Sequence, residues 1–357
     1  MNPFNTPKLA QNLDQNSDWD PIRKKYRVEI NASVVLAAKD KQLVKKHADI
    51  ILQKQSKEGF WLEYSYERDE ESVGYFGAVP TSFCIMALLR AYKTLNQSEY
   101  LNAAINACDY LYAKEKNGYF WKAAMNKSNV LNTNLLAGAA LLEASKTMNQ
   151  KSRRVPIYRS ACIRAIKRSL NSQHANGAYP YTSFGFTIPL LYHSMTLALL
   201  INLSTEFKDS LLDYSIKKGM RYLLRFVKKS GQMDWKQEQF PEKSGACWTY
   251  AWNYAIFESL GLLKKLKATA KHLNKLKGVQ FFYEGDFNKK EDPFYTSWCL
   301  LALMFPKKKK LDITFFGSLR FYFSRFVFLP KKSFLICRIM KRKLFSFGLD
   351  KGPIEYW

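Results

Sequence analysis

The sequence predicts an all-α fold, an (α/α)6 toroid or barrel in which six helical hairpins close into a ring with a repeat of about 54 to 59 residues. Three observations predict it. The first is a recurring turn. Gln55, Gly59 and Trp61 spell Gln-x3-Gly-x-Trp, and the plan returns in Lys114 to Phe120 and in Gln173 to Tyr179. Weaker echoes follow around Gly231 and Gly285, so the glycines fall at 59, 118, 177, 231 and 285, in steps of 59, 59, 54 and 54. A period of this size marks a repeat architecture. The second is helix character. Each repeat carries a helix apolar on most sides, then one apolar along a single stripe. The first kind must be buried all round and the second must face water on one side, which two concentric layers satisfy. The third is length: a closed array accommodates 357 residues without a domain boundary.

The elements follow in order. Residues 1–27, polar and interrupted by Pro3, Pro7 and Pro21, are expected to form an irregular arm. The toroid is assigned to 28–306. Val28 to Ala38 reads as the first inner helix, and Asp40 caps an outer helix over Lys41 to Lys54. Pro80 suits the first turn of the next inner helix, which runs to Leu95, and Ser98 is expected to cap Glu99 to Ala113. The plan repeats as Val130–Lys146 with Tyr158–Asn171, Ile188–Leu203 with Ser210–Lys229, and Ala246–Leu263 with Lys267–Lys277. Phe294 to Phe305 is the sixth inner helix.

Composition narrows the partners. The net charge is +26, which favours anionic ligands: an acidic polymer, an acidic membrane surface or nucleic acid. No nucleic-acid-binding motif accompanies the charge, so nucleic acid is disfavoured. The six cysteines are spread singly, without a Cys-x2-Cys pair, which argues against a structural zinc site and for a reducing compartment. Neither a signal peptide nor a spanning helix is expected, so the reading is cytoplasmic, with peripheral attachment to the inner face of the membrane as its variant.

The Gln-x3-Gly-x-Trp turns resemble the QW repeats of terpenoid cyclases and their α/α-toroid relatives. The run from Asn132 to Glu143, with the turn from Asn176 to Tyr181, is similar to toroid proteins of bacterial polysaccharide-biosynthesis clusters. The resemblance covers roughly residues 30–305. It implies a cell-envelope polysaccharide protein that acts on or holds a glycan or lipid-linked oligosaccharide. The activities it implies are those of uronyl epimerases, lyases or glycosidases; a non-catalytic glycan-binding toroid is the alternative. A terpenoid cyclase or prenyltransferase stands further off, because the acid motif Asp-x-Asp-Asp is absent. Nucleotide cofactors and catalytic metals are not expected, since no Gly-x-Gly-x-x-Gly, P-loop or His-Glu-x-x-His motif occurs.

In a toroid the turns into the inner helices edge one mouth of the central cavity, so the residues after each repeated glycine are the site candidates. After Gly59 come Trp61, Tyr64 and Tyr66 with Glu63 and Glu67, the preferred acid/base pair, in a loop with five carboxylates within nine residues. Such a loop is equally readable as a solvated balance for nearby lysines. Trp121, Asn132 and Asn134 follow Gly118; Tyr179, Tyr181, Tyr192 and His193 follow Gly177. Asp234, Trp235, Trp248, Trp252 and Asn253 follow Gly231, and Tyr295 and Trp298 complete the set. Aromatic rings cover the C–H face of a pyranose while amides and carboxylates take its hydroxyls; rings at repeat junctions also serve as core filling. His193, alone inside an apolar inner helix, and Asp234 are the other acid/base candidates. Next to a uronic carboxylate, a histidine or tyrosine can move the acidified α-proton.

Residues 307–357 change character, with basic residues set among phenylalanines, and read either as the sixth outer helix or as an interfacial membrane helix. Deleting them decides between the two: an anchor's removal shifts the protein from vesicle pellet to supernatant with helicity kept, whereas loss of a sixth outer helix leaves the protein unfolded.

Overall fold

The computed structural model describes residues 4–14, 19–20, 25–62, 77–122, 129–183, 185–238, 241, 245–278, 281–286, 288 and 290–305. Six helices form the inner ring: α2 (Val28–Ala37), α4 (Ala78–Leu95), α6 (Leu131–Thr147), α8 (Leu190–Leu203), α10 (Cys247–Ser259) and α12 (Pro293–Leu303). Each packs on the next, and α12 packs on α2, so the ring is closed. Outside it lie α3 (Lys41–Gln53), α5 (Ser98–Ala113), α7 (Arg154–Asn171), α9 (Ser210–Leu224) and α11 (Leu263–Lys275). The inner helices are buried almost throughout, whereas α3, α9 and α11 bury one stripe, the contrast the periodicity predicted.

The sixth outer helix comes from the other end of the chain. The stretch expected to be an irregular arm carries α1 (Thr6–Asp14), which packs on both α2 and α12, as α3 packs on α2 and α4. Leu9, Ala10 and Leu13 are buried beneath it, and Phe4 meets the rings of Tyr254 and Phe282 at 5.3 and 6.2 Å. Asp14 fastens the seam: it accepts from Lys46 at 2.6 Å and from His47 Nε2 at 2.9 Å, while His47 Nδ1 meets the Asn31 side chain at 2.7 Å. The slot that the sequence offered to 307–357 is therefore filled by a short amphipathic helix whose low hydrophobicity hid it. Residues 307–357 themselves lie outside the described residues.

Capping follows local chemistry. Asp40 accepts from Gln42 N and Leu43 N at 2.7 and 3.3 Å, as expected, and Asp209 and Asp292 cap α9 and α12 in the same way. Ser98 is not the cap of α5; that helix begins on Ser98 itself, after Gln97, without a side-chain cap.

The repeated turn does one job several times. Gly59, Gly118, Gly177 and Gly231 all have positive φ. Each also lies on the backbone of the next outer helix: a Cβ at Gly118, Gly177 or Gly231 would come within 2.3 Å of Arg164 O, Lys218 O or Ala268 O. Glycine is required twice over, by dihedral and by close approach. Gln55 Nε2 donates to Gly59 O and across to Ala103 O on α5, both at 2.9 Å, and Gln173 does the same to Gly177 O and Ser215 O on α9. The fifth turn departs from the sequence reading. Its tight contact is Gly278 N to Phe281 O, and Phe282 occupies the place of Trp61 and Phe120, so Gly285 is not the repeat glycine.

Gly177→Ala is expected to cost about 2 kcal/mol or more in chemical denaturation, since it combines a left-handed residue with a clash. Gly261→Ala, at positive φ with nothing within 4 Å, should cost about 1 kcal/mol. Equal losses would show that the approach to the outer helix contributes nothing.

Candidate active site at the mouth of the ring

The fourth residue of each inner helix faces outward and fixes the turn behind it. Trp61 N donates to Thr81 Oγ1 (3.1 Å), Phe120 N to Asn134 Oδ1 (2.9 Å), Tyr179 N to His193 Nδ1 (3.1 Å), Met233 N to the Tyr250 hydroxyl (3.3 Å) and Phe282 N to Thr296 Oγ1 (2.9 Å). In α2 the same position is Asn31, turned to His47. A residue two places before or after lies roughly 200° around the helix and so faces the ring axis. The first axial layer is thus Glu29, Val79, Asn132, Leu191, Trp248 and Phe294, and the second is Ser33, Phe83, Leu136, Met195, Trp252 and Trp298. Contacts agree with the assignment. Asn132 Nδ2 reaches Met195 Sδ at 3.4 Å, Phe83 meets Trp298 at 5.3 Å, and Trp248 meets Trp298 edge-to-face at 4.6 Å. Further along the same stripes, Met86, Arg90, Ala139, Glu143, Asn202 and Phe305 line a cavity of about 390 Å³ at the opposite end.

The mouth is framed by the next repeat in turn. Lys122 O, Tyr181 O and Glu284 O accept from the first N–H of α4, α6 and α10 at 2.9, 3.1 and 2.9 Å. At α8 the Glu238 carboxylate does this instead, at 3.1 Å from Leu190 N, where a negative charge suits a helix N-terminus.

Within the mouth an aromatic wall meets charge. Trp248 also contacts Tyr295 at 5.4 Å and Phe294 at 6.4 Å. The Arg27 guanidinium lies 4.3 Å over the Phe294 ring, a cation–π arrangement, and Arg27 is 4% exposed. Glu29, 2% exposed, adds a buried carboxylate in the first axial layer, and its charge joins burial in pushing the Cys84 thiol up. The indole N–H groups of Trp248 and Trp298 and the Asn132 carbonyl are buried with no hydrogen-bond partner among the described residues. Polar groups buried in that state are matched to a ligand or water more often than left bare.

The sequence candidates separate into three sets. Asn132, Trp248, Trp252 and Trp298 lie on the axial stripes. Tyr295 packs on Trp248, and Tyr181 and Tyr192 pair at 4.5 Å on the mouth's edge. Others are fasteners. Trp61 donates its indole N–H to Ile51 O at 2.7 Å, Tyr179 bonds Ser215 at 2.7 Å, and Asn134 holds Phe120 N. Asn253 turns to Met233 Sδ, and Lys114 stacks on Trp121 at 5.5 Å. Asp234 caps the short turn Trp235–Gln237 by accepting from Lys236 N. Trp235 donates to Asp286 at 2.9 Å. Burial pushes the Asp286 carboxyl up, but hydrogen bonds from His272, Tyr250 and Trp235 outweigh it and hold it low. Glu63, Tyr64, Tyr66 and Glu67 lie outside the described residues; the segment that carries them leaves at Leu62 and returns at Gly77, whose N–H donates to Trp61 O at 3.1 Å.

His193 is the clearest change of role. It is wholly buried and faces the outer layer. Nδ1 accepts from Tyr179 N, so Nε2 carries the proton and donates to Gly219 O at 3.1 Å. Both nitrogens are engaged away from the axis, and burial pulls its pKa down to about 3. What the sequence reading missed is Glu29 with Arg27. The signal was present: Glu29 is the one charged residue within Val28–Ala37.

Residues 54–220 match the protein family described as the D-glucuronyl C5-epimerase C-terminus. No curated protein sequence matches the chain. Among solved structures, the unsaturated glucuronyl hydrolase of Bacillus sp. GL1, described as responsible for glycosaminoglycan degradation, superposes with a TM-score of 0.61 at 12% identity, covering 84% of this chain and 94% of that one. Cellobiose 2-epimerase from Spirochaeta thermophila gives 0.58 at 13% identity, covering 79% and 86%. An α-amylase from Clostridium perfringens gives 0.60 at 16% identity, covering 78% and 86%. These likenesses establish the fold as the α/α toroid.

The His193 geometry predicts a pH dependence. The folded value of about 3 lies below the ordinary value of 6.5, so the unfolded chain binds the extra proton first. The stabilisation is complete above pH 6.5 and is lost as pH falls toward 3. His193→Ala should cost about 3 kcal/mol at neutral pH and flatten this slope in denaturant titrations. An unchanged slope would remove the assignment.

Proposed function

We propose that the protein is a carbohydrate-active enzyme that moves a proton at C5 of a uronate within an acidic glycan, an epimerase or lyase type of reaction carried out at the mouth of the ring. The observation that carries this is a buried carboxylate, Glu29, in the same axial layer as Trp248, Phe294 and Asn132, with Arg27 stacked on Phe294. Burying a carboxylate costs several kcal/mol, a cost that a purely sugar-holding surface has no need to carry. The family match of residues 54–220 points the same way.

The chemistry follows from the substrate. The C5 hydrogen of a uronate is α to the C6 carboxylate. A guanidinium that neutralises this carboxylate lowers the barrier to removing the hydrogen, because the carbanion's charge spreads onto the carboxylate oxygens. A carboxylate base takes the proton. Reprotonation from the other face inverts C5; expulsion of the substituent at C4 instead gives an unsaturated product. In this reading Glu29 is one acid/base group, and Glu63 or Glu67, the pair expected from the sequence, is the proposed second. Trp248 and Trp298 hold the ring, their indole N–H groups donating to its hydroxyls. The +26 charge suits an acidic polymer, and synthesis of a cell-envelope polysaccharide, from polymer or lipid-linked units, is the setting proposed.

Exchange of C5 hydrogen for deuterium in polyglucuronate or heparosan, read by NMR, tests the reaction. Glu29→Gln and Glu67→Gln should each lower exchange by about 10²- to 10⁴-fold with binding retained. Trp298→Ala should weaken binding itself. Retained exchange in both carboxylate variants would overturn the catalytic reading in favour of a glycan-binding role.

A further inference from the structure

Beside the mouth, on its outer rim, a second concave site is built from unlike segments. A groove of about 360 Å³ is lined by Asn117, Arg164, Lys167, Arg168, Asn171 and Ser183, together with Ser172. Its cations come from α7, a helix that carries Arg154, Arg159, Arg164, Lys167 and Arg168 and no carboxylate at all. The opposite wall comes from the turn at Asn117 and from the segment following the turn at Gly177.

The cations are not equivalent. Arg164 is consumed structurally: its Nε and Nη2 hold the Glu115 carboxylate at 3.0 and 2.7 Å, and that carboxylate also receives Gly118 N. Lys167 and Arg168 have no carboxylate partner among the described residues. Lys167 is exposed, yet Arg168 is half-buried and held in place. Its guanidinium lies 5.9 Å from the Tyr119 ring centre. With the Asn129 amide turned so that its oxygen faces the guanidinium, Asn129 accepts from Arg168 Nε and Nη2 at 2.6 and 2.5 Å. A positioned guanidinium has already lost much of the side-chain freedom that anion binding otherwise removes, and its planar fork matches a carboxylate or sulfate.

Three successive backbone contacts link the groove's segments to the mouth. Ser183 N donates to Asn129 O at 3.0 Å, Val130 bridges Thr182, and Tyr181 O caps Leu131 N at 3.1 Å. Asn132 of the first axial layer is the next residue along α6.

We propose that the groove is an anion subsite for the acidic glycan, in which Arg168 and Lys167 take the carboxylate or sulfate of a sugar flanking the one at the axis, while Asn117, Asn171 and Ser183 take hydroxyls. It deepens the functional reading above and rests on it for the class of polymer. It makes the protein selective for polymers charged at the flanking sugar as well as at the axial one.

Calorimetric titration with polyglucuronate at low salt, with neutral dextran as the blank, tests it. Lys167→Glu with Arg168→Glu should weaken polyglucuronate binding about tenfold or more. Arg168→Gln alone should give part of that loss with thermal unfolding unchanged. Free glucuronate, which occupies only the axis, should be unaffected by these changes and weakened by Trp298→Ala. Reversal of two cations on a distant outer helix, Lys264→Glu with Lys267→Glu, should have a smaller effect. If that reversal weakens the polymer equally, the groove is bulk charge and the proposal falls. It falls also if the wild type fails to bind polyglucuronate or if the groove variants bind it unchanged. Groove variants that lose the polymer while Trp298→Ala has no effect on glucuronate would leave the groove standing and remove the axial site instead.

Discussion

One hydrogen bond sets the register of this ring. In five repeats, the N–H of the residue that follows the turn donates to the side chain at the fourth position of the inner helix. The acceptor changes from threonine to asparagine, histidine and tyrosine, but the geometry does not. By fixing which residue of each inner helix looks outward, the bond fixes which residues look at the axis. The composition of the mouth is a consequence of it. A buried backbone N–H left without this acceptor would cost about 1–3 kcal/mol, which explains why so varied a set of side chains is retained in one role.

The second constraint is closure. A ring of hairpins that begins with an inner helix lacks one outer helix at its seam, and the exposed flank of α12 must be covered. The chain uses its own N-terminus for this. Asp14, His47 and Asn31 then form a polar line through the outer and inner layers at the seam. This closure sets Arg27 and Glu29 at the mouth, because α2 follows directly from the segment that leads away from α1.

Much of the fold was legible in the sequence. Glycine recurring at a fixed period, and inner helices apolar all round, reflect local requirements: a left-handed dihedral, a close approach and burial on all sides. The site was legible only in part. Trp248, Trp298 and Asn132 stand where the repeat logic put them. His193 and Asn134 lie on the same inner helices but point outward, since two residues along a helix reverse direction; Tyr179, in the turn before α8, is tied to the outer layer through Ser215. Gly285 reads as a repeat glycine because Phe282, which stands in the place of Trp61 and Phe120, carries no motif to mark the true turn. α1 escaped notice because it has only nine residues and carries Pro7 in its first turn.

The sequence by itself determined the repeat, the inner helices and the two-layer arrangement. These depend on periodicity and turn geometry, which are properties of neighbours along the chain. Tertiary structure alone decided that the N-terminus closes the ring, that His193 is a neutral fastener, and that Glu29 and Arg27 join the aromatic wall. Those outcomes depend on which face of each helix meets the axis and on contacts between residues far apart in sequence, as between Arg27 and Phe294. No local pattern encodes such contacts.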